Sequence, residues 1–309
     1  MRVVFLGSGV FAIPSFEGLI EAGHEVLALV TQPDREKGRG RATAPPPLKP
    51  VAEARGVLVL QPRRIRDSEA LEALRGISPE IQIVVAYGQI LPRPVIDLPS
   101  RGTINVHASL LPRYRGAAPV QWAIVRGESE TGVTTMRIDE GLDTGPTLLS
   151  HATAIGPEET APELEGRLAR LGALVLLDTL RGIEAGTVHE VPQDHGRATL
   201  APPLRKEDGH IDWGRPAGEV VRRVRGFLPW PGSTTSIEGK ALRILKAAEA
   251  SPGPGEPGVV QATAADGMIV ACGEGTRLRI VEVHPDSRRP MTASAFAAGA
   301  RLGRGARFA

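Results

Sequence analysis

Asn105 and His107 stand two residues apart in the short apolar run Ile104-Asn105-Val106-His107. If this run is a β-strand, both side chains leave the same face. They stand at the carboxyl end of the run, where open α/β sheets bind their ligands. An amide NH2 beside an imidazole can stabilise an oxyanion and move a proton. A lone histidine is usually packed or on the surface, but this pair, followed by a long loop, indicates a catalytic site.

A second polar loop, residues 138–145, follows the strand-like run Val133–Ile138 and carries three carboxylates among glycines. One of them, Asp143, could polarise His107 or accept a proton from an attacking amine. The alternative is a solvated acidic turn, which the spacing alone favours.

A third motif, Gly7-Ser8-Gly9-Val10-Phe11-Ala12, has the G-x-G-x-x-A pattern between an apolar run and a helical segment. In a dinucleotide-binding fold such glycines let a phosphate approach the helix N-terminus. Arg35, Arg39 and Arg41 could then hold the 2′-phosphate of NADP. However, Thr31-Gln32-Pro33 stands where a ribose-binding residue is expected. A tight strand-to-helix turn explains the glycines equally well.

Short apolar runs alternate with helical segments in the first part of the chain. The runs are rich in β-branched residues, which favours buried parallel strands. We therefore expect a Rossmann-like, doubly wound, mostly parallel α/β sheet, with a catalytic domain over residues 1–186. The predicted strands are Val3–Leu6, Val26–Val30, Val57–Leu60, Ile81–Ala86 and Ile104–Val106, and the predicted helices are Pro14–Ala22, Pro47–Arg55, a helix starting at Asp67, and Thr160–Glu184.

The pattern changes after Gly186. Residues 187–207 are polar and turn-rich, as in a linker. In residues 208–309 the sequence predicts a helix at Glu219–Gly226 and closely spaced strands at 242–246, 258–263, 267–271 and 276–283. Short strands separated by glycine-rich turns predict a small β-barrel.

The composition limits the possible chemistry. The chain has 309 residues, of which 41% are hydrophobic and 23% charged, enough for two folded domains without stapling. Cys272 is the single cysteine, which excludes an intramolecular disulfide, a thiolate-rich zinc site and a cysteine-held iron–sulfur cluster. No apolar run reaches the ~20 residues that span a bilayer. We expect a cytoplasmic protein with no signal peptide, metal or membrane partner.

Charge is unevenly distributed along the chain, although the net charge is only +2. Residues 31–66 contain nine basic and three acidic residues, residues 67–204 contain 11 and 18, and residues 205–309 contain 16 and 11. Basic segments on either side of an acidic middle suggest a polyanionic partner. A chance excess of arginine on solvated faces is the alternative.

The motifs together resemble the formyltransferases that use 10-formyltetrahydrofolate, and within them the branch that acts on methionyl-tRNA. The resemblance covers nearly the whole chain in order. It is carried by residues 105–119 and 141–145, and by Thr31–Arg35, Lys37–Gly40, Val85–Gly88, Leu91-Pro92, Lys206–Gly209, Ile211–Trp213 and Pro229–Gly232.

The resemblance implies a role for each matching residue. Asn105, His107 and Asp143 match the catalytic trio, and the second domain matches an OB-like, tRNA-binding barrel. The implied folate contacts are Ser109, Leu110, Leu111, Pro112, Val85, Ala86, Tyr87, Gly88, Gln89, Ile90 and Leu91. The implied tRNA contacts are Arg35, Lys37, Arg39, Arg41, Lys206, Arg222 and Arg223. The expected substrates are 10-formyltetrahydrofolate and initiator methionyl-tRNA, with no obligate protein partner.

Three departures and three alternatives accompany this interpretation. Ala108 replaces a common glycine, Gly9-Val10 stands where a proline is frequent, and Leu200 stands where a tyrosine is common.

A sibling formyltransferase acting on a nucleotide-sugar amine would share the trio but would not need the basic segment 35–41. An NADP-dependent oxidoreductase would use Gly7 and Gly9 and leave the trio without a role. A pure RNA-binding module would explain only the charge.

Overall fold

The computed structural model describes residues 1–37 and 42–309. The chain divides into two compact units, each assembled from more than one stretch of sequence. Unit 1 contains residues 1–116, 130–154 and 165–201, and unit 2 contains residues 117–129, 155–164 and 202–309. The sequence predicts a catalytic domain (1–186), a linker (187–207) and a tRNA-binding domain (208–309). These bounds and these roles remain predictions.

The elements follow in chain order. The first part contains β1 (Arg2–Gly7), α1 (Ile13–Glu21), β2 (Glu25–Val30), β3 (Arg35–Lys37), β4 (Ala42–Ala44), α2 (Leu48–Ala54), β5 (Leu58–Leu60), α3 (Ser68–Ile77), β6 (Ile81–Val85), α4 (Arg93–Ile96), β7 (Thr103–His107), β8 (Arg115–Gly116), α5 (Pro119–Val125), β9 (Glu130–Arg137), β10 (Thr147–Ala154) and α6 (Ala161–Ala185). The second part contains β11 (Leu200–Ala201), α7 (Ala217–Gly226), β12 (Ser233–Ile237), β13 (Lys240–Ala250), β14 (Val260–Ala264), β15 (Gly267–Ala271), β16 (Arg277–Pro285), β17 (Met291–Thr292) and α8 (Ala293–Ala300). Short 3₁₀ helices lie at Val10–Ala12, His195–Arg197, Lys206–Gly209 and Gly273–Gly275.

Unit 1 is built on a seven-stranded sheet in the order β10-β9-β7-β6-β1-β2-β5. The five strands from β7 to β5 are parallel, whereas β9 and β10 are antiparallel to their neighbours. Helices separate the parallel strands along the chain, which confirms the predicted doubly wound, mostly parallel α/β sheet. The carboxyl ends of β1, β6 and β7 therefore share one edge of the sheet.

The first glycine of the G-x-G-x-x-A motif is explained by packing. A Cβ on Gly7 would lie 2.6 Å from the Phe5 ring and 2.9 Å from the Val85 carbonyl oxygen. Only glycine therefore fits where β1 passes β6. This constraint exists without any dinucleotide.

Unit 2 contains an antiparallel sheet in the order β12-β13-β16-β15-β14, with β17 paired to β16. The last residues of the chain join its two edges. Ala309 and Ser236 exchange backbone hydrogen bonds beside β12, while Val260 of β14 pairs with Gly305 and Ala306. The sheet is thereby closed into the predicted barrel, around a core that includes Cys272.

Candidate active site

His107 ends β7 and is buried, with 6% of its surface exposed. Its Nε2 lies 2.9 Å from the backbone carbonyl oxygen of Tyr114. Because a carbonyl can only accept, Nε2 carries a proton and donates it to Tyr114. The other ring nitrogen, Nδ1, lies 3.6 Å from Oδ2 of Asp143. Nδ1 is therefore the nitrogen left for a substrate, and it faces a carboxylate.

Asp143 is held in place by the backbone. Its Oδ2 accepts a 2.8 Å hydrogen bond from the Gly116 N–H. Gly116 itself has a φ of +118°, and a Cβ there would lie 2.6 Å from the Ala201 carbonyl oxygen. Asp143 adopts a left-handed φ of +51°, which is uncommon for an aspartate. The short β8–β11 pairing thus brings a backbone donor to the carboxylate that faces His107.

Asn105 precedes His107 by two residues on β7, so both side chains lie on the same face. Asn105 is half-buried. His107, Asp143 and Asn105 belong to unit 1, which brings one strand, β7, and the loop between β9 and β10 to the same sheet edge. The amide of Asn105 makes no side-chain hydrogen bond to any residue within 1–37 or 42–309, which leaves its NH2 group available to a ligand.

The loop between β7 and β8 is fastened at both ends. Thr134 on β9 donates its hydroxyl to the Ser109 carbonyl at 2.7 Å and accepts the Leu111 N–H at 3.2 Å. The Ser109 hydroxyl donates to the Arg113 carbonyl at 2.6 Å, so this fully buried residue holds the loop together. Leu110, Leu111 and Pro112 are half-buried and present apolar surface. Of the four predicted folate contacts in this loop, these three are accessible to a ligand, whereas Ser109 is not.

The segment Val85–Leu91 alternates between buried and exposed residues. Val85, Tyr87 and Leu91 are buried, and Tyr87 and Leu91 belong to the core beside the sheet. Burial raises the pKa of the Tyr87 phenol well above its ordinary value. Gln89 accepts the Ile65 N–H and fastens a neighbouring loop. The surface available to a ligand in this segment comes from Ala86, Gly88 and the 91%-exposed Ile90.

A buried polar pair, Arg115 and Gln193, is hydrogen-bonded to the backbone of the Asp143 loop. Arg115 and Gln193 are 6% and 8% exposed. Gln193 Oε1 accepts from Arg115 Nε and Nη2 at 3.1 and 2.7 Å, and Gln193 Nε2 donates to the carbonyls of Asp143 and Gly145 at 2.9 and 2.7 Å. Neither residue is predicted from the sequence to belong to the site, because the two lie 78 positions apart and belong to no local pattern.

A cavity of about 300 Å³ lies at the same sheet edge but away from His107. It is lined by Ser8, Gly9, Gln32, Pro33, Arg35, Glu36, Ala44, Pro45, Pro46 and Pro47. The carboxyl ends of β1 and β2 lie two and three strands from β7, or roughly 10 and 14 Å at the usual strand spacing. We regard the Asn105–His107–Asp143 cluster, not this cavity, as the centre of the chemistry, since the cavity contains none of the three.

The predicted tRNA contacts have different surroundings. Arg35 is exposed and donates to Gln32 at 3.1 Å, while Lys206 is exposed in a 3₁₀ helix. Lys37 ends β3, whereas Arg39 and Arg41 lie outside the described residues. Within unit 2, Arg222 and Arg223 donate to the carbonyls of Val125 and Asp208 at 3.4 and 2.7 Å. These two arginines therefore also support the fold of unit 2.

Two features are absent from the described part of the chain. Among residues 1–37 and 42–309, no group of three or more His, Cys, Asp and Glu side chains is arranged to hold a metal ion. In the same residues no helix has the length and apolar character needed to cross a bilayer.

Comparison with known families matches both parts of the chain. Residues 1–180 match the formyl transferase family, and residues 203–301 match the formyl transferase C-terminal domain. A methionyl-tRNA formyltransferase from Solibacter usitatus is 53% identical over 98% of this chain and 96% of its own length. Another from Geobacter metallireducens is 46% identical over 100% of this chain and 98% of its own length.

A solved structure of lower similarity shares the fold. The N-formyltransferase from Helicobacter canadensis, in complex with folinic acid and dTDP-3-aminofucose, is 17% identical. It covers 91% of this chain and 98% of its own, with a TM-score of 0.69. At this identity the likeness concerns the fold alone.

Proposed function

Because this chain belongs to the formyl transferase family, we propose that it transfers a formyl group from 10-formyltetrahydrofolate to the α-amino group of methionyl-tRNA. Its full-length curated relatives at 46–53% identity are methionyl-tRNA formyltransferases. The relative that carries dTDP-3-aminofucose is only 17% identical. The protein is therefore a transferase that formylates methionyl-tRNA. The observation that carries the mechanism is the position of His107 between the Tyr114 carbonyl and Asp143.

The reaction exchanges one C–N bond for another. The neutral α-amine attacks the formyl carbon, and the new C–N bond forms as the carbonyl oxygen becomes negatively charged. The bond between the formyl carbon and N10 then breaks, N10 gains a proton, and the amine loses one. The folate supplies the formyl group already activated on N10. The chain's residues must stabilise the oxygen and move the proton.

His107 and Asn105 are placed to stabilise the oxyanion. When His107 carries a second proton, Nε2–H stays on the Tyr114 carbonyl and Nδ1–H points toward the side where Asp143 lies. The Asn105 side chain leaves the same face of β7, so its NH2 group can donate to the negatively charged oxygen of the formyl group. A preorganised donor of this kind contributes roughly a hundredfold to a thousandfold to kcat.

Asp143 has two proposed roles. Its carboxylate, 3.6 Å from Nδ1, opposes the positive charge that develops on His107 in the transition state and holds the ring in one orientation. A carboxylate has lone pairs beyond the one that accepts from Gly116. Asp143 can therefore also accept the proton that leaves the attacking amine, and pass it toward N10.

The formyl donor must lie against the same sheet edge. Residues of two loops offer it apolar surface, Ala86, Gly88 and Ile90 after β6 and Leu110, Leu111 and Pro112 after β7. The amide of Asn105 has no side-chain hydrogen-bond partner among residues 1–37 and 42–309, which fits a ligand there. We infer that these residues bind the pterin end, while Val85, Tyr87 and Leu91 shape the loop from the core.

The RNA substrate is proposed to be initiator methionyl-tRNA, bound by the cations Arg35, Lys37, Arg39 and Arg41 and by the exposed Lys206. Counterion release makes such binding strongly dependent on salt. Because initiator tRNA is used at the start of translation, we infer that the enzyme acts in the cytoplasm and needs no obligate protein partner.

The proposed function is tested by the choice of acceptor and cofactor. Purified enzyme is given 10-formyltetrahydrofolate with methionyl-tRNA, or with an aminodeoxysugar nucleotide, and product is measured for each. Separate calorimetric titrations use a folate and NADP. We expect formylation of methionyl-tRNA and binding of the folate. Formylation of the sugar nucleotide alone, or tight binding of NADP without binding of folate, would reject the proposal.

A further inference from the structure

We propose that Arg115 and Gln193 are positioning residues, which hold the Asp143 loop so that the carboxylate faces His107. This inference rests on the proposed catalytic role of Asp143. Neither residue belongs to the trio, and neither side chain contacts the trio's reacting atoms. Gln193 contacts the Asp143 loop at two backbone carbonyl oxygens, and Arg115 acts on the loop through Gln193.

Gln193 joins two parts of unit 1 through the oxygen and the nitrogen of its side-chain amide. Its single side-chain nitrogen donates to the carbonyls of Asp143 and Gly145, and its oxygen accepts two bonds from Arg115. Four hydrogen bonds use the full capacity of a glutamine amide. Since one of them is to the backbone of Asp143, the position of Gln193 fixes the position of that backbone.

Asp143 needs such support because its backbone is strained. A φ of +51° places a non-glycine residue in the left-handed region. Such a conformation persists only when the surroundings over-determine it, and it is often found at functional sites. Gln193 holds this residue at the carbonyl, and the Gly116 N–H holds it at the side chain. Together these contacts determine which way the carboxylate points.

Arg115 holds the amide of Gln193 in place, and burying its positive charge lowers the stability of the fold. Among the described residues, the partners of its guanidinium are Gln193 Oε1 and Nδ1 of His195 at 3.2 Å, and neither is a carboxylate. A buried cation without a carboxylate partner is expensive, so stability alone does not account for it. Its planar fork makes two bonds to one oxygen, which sets the orientation of the Gln193 amide. Arg115 also precedes Gly116, whose N–H binds Asp143.

Gln193→Glu separates a positioning role from a purely structural one. The new carboxylate would keep an acceptor for Arg115 and pair its buried charge, so the fold should remain stable. It would also place a negatively charged oxygen against the carbonyls of Asp143 and Gly145, which repels the loop. We expect a melting temperature between those of the wild type and Gln193→Ala, a kcat lower by roughly tenfold to a hundredfold, and KM values within about twofold for both substrates.

The control and the double variant decide the interpretation. Asp194→Asn, one residue further on, keeps an acceptor for the Gly196 N–H and should have full activity. In an Asp143→Asn background, Gln193→Glu should add little further loss, since both changes act through the same carboxylate. Gln193→Ala, which removes both sets of bonds, should be slow and less stable.

The outcomes distinguish the two levels of the argument. A slow Asp143→Asn with a fully active Gln193→Glu would overturn the positioning role and leave the proposed chemistry intact. Losses that multiply in the double variant would also overturn it. A fully active Asp143→Asn would instead reject the catalytic assignment of Asp143.

Discussion

Asp143→Asn removes the charge of the carboxylate and leaves its geometry almost unchanged. An asparagine oxygen can still accept the Gly116 N–H, and asparagine tolerates a left-handed φ at least as well as aspartate does. We therefore expect the variant to fold with a melting temperature close to that of the wild type. The expected effect is on kcat alone.

The size of this effect follows from one distance. Two unit charges 3.6 Å apart interact by roughly 4–5 kcal/mol at an effective dielectric constant of about 20. If about half a charge develops on His107 in the transition state, the loss is about 2 kcal/mol, or about thirtyfold in rate. A full charge gives a loss of more than about a thousandfold. We therefore predict that the kcat of Asp143→Asn is lower than that of the wild type by a factor between about thirty and a few thousand.

The assay is formylation of methionyl-tRNA with both substrates saturating, with folate affinity measured by calorimetry. Glu140→Gln is the matched control, because it removes a carboxylate charge from the same loop at a side chain that is 70% exposed. It should have the rate of the wild type. If Asp143→Asn retains more than about a third of the wild-type kcat, the electrostatic reasoning is refuted.

Three other predictions concern separate parts of the chain. Asn105→Ala should lower kcat by roughly a hundredfold to a thousandfold, with an unchanged melting temperature; a loss below about threefold would exclude it as an oxyanion donor. Neutralising Arg39 and Arg41 should weaken use of methionyl-tRNA and reduce the salt slope of kcat/KM by about 1 for each lost phosphate contact, without affecting folate binding; equal slopes would mean that they do not contact RNA. Burial raises the pKa of the Cys272 thiol from its ordinary value of 9.0 to about 11. As pH rises from 9 toward 11, the thiol ionises in the unfolded chain before it ionises in the folded protein. The free energy of unfolding should therefore fall over this range. Urea unfolding at pH 7 and pH 10 should show less of this fall in Cys272→Ala, and an identical fall would contradict it.

Much of unit 1 could be predicted from the sequence, because its strands are continuous apolar runs. The five predicted strands correspond to β1, β2, β5, β6 and β7 within one or two residues at each end. The predicted helix Thr160–Glu184 is observed at Ala161–Ala185. Alternation along β7 indicates Asn105 and His107 as candidates, whereas Asp143 is assigned to the trio by the family resemblance, because the spacing alone favours a solvated turn.

The rest could not be predicted because it depends on backbone atoms and distant partners. The Tyr114 carbonyl and the Gly116 N–H carry no signal of residue type, and Arg115 and Gln193 meet only in the folded chain. Helix α8 is rich in alanine and weakly amphipathic, so its sequence gives no clear helical pattern. The closure of the barrel by residues 305–309 is also too short to produce a periodic pattern.

A single-turnover experiment tests the central claim most directly. Enzyme in excess is mixed with 10-formyltetrahydrofolate labelled in the formyl group and with methionyl-tRNA, and the label on the α-amine of methionine is followed with time. We predict that the wild type transfers the label to methionine, and that His107→Ala, still folded and still binding folate, transfers it at least about a hundredfold more slowly. Label absent from methionine with the wild-type enzyme, or transferred by His107→Ala at the wild-type rate, would contradict the account.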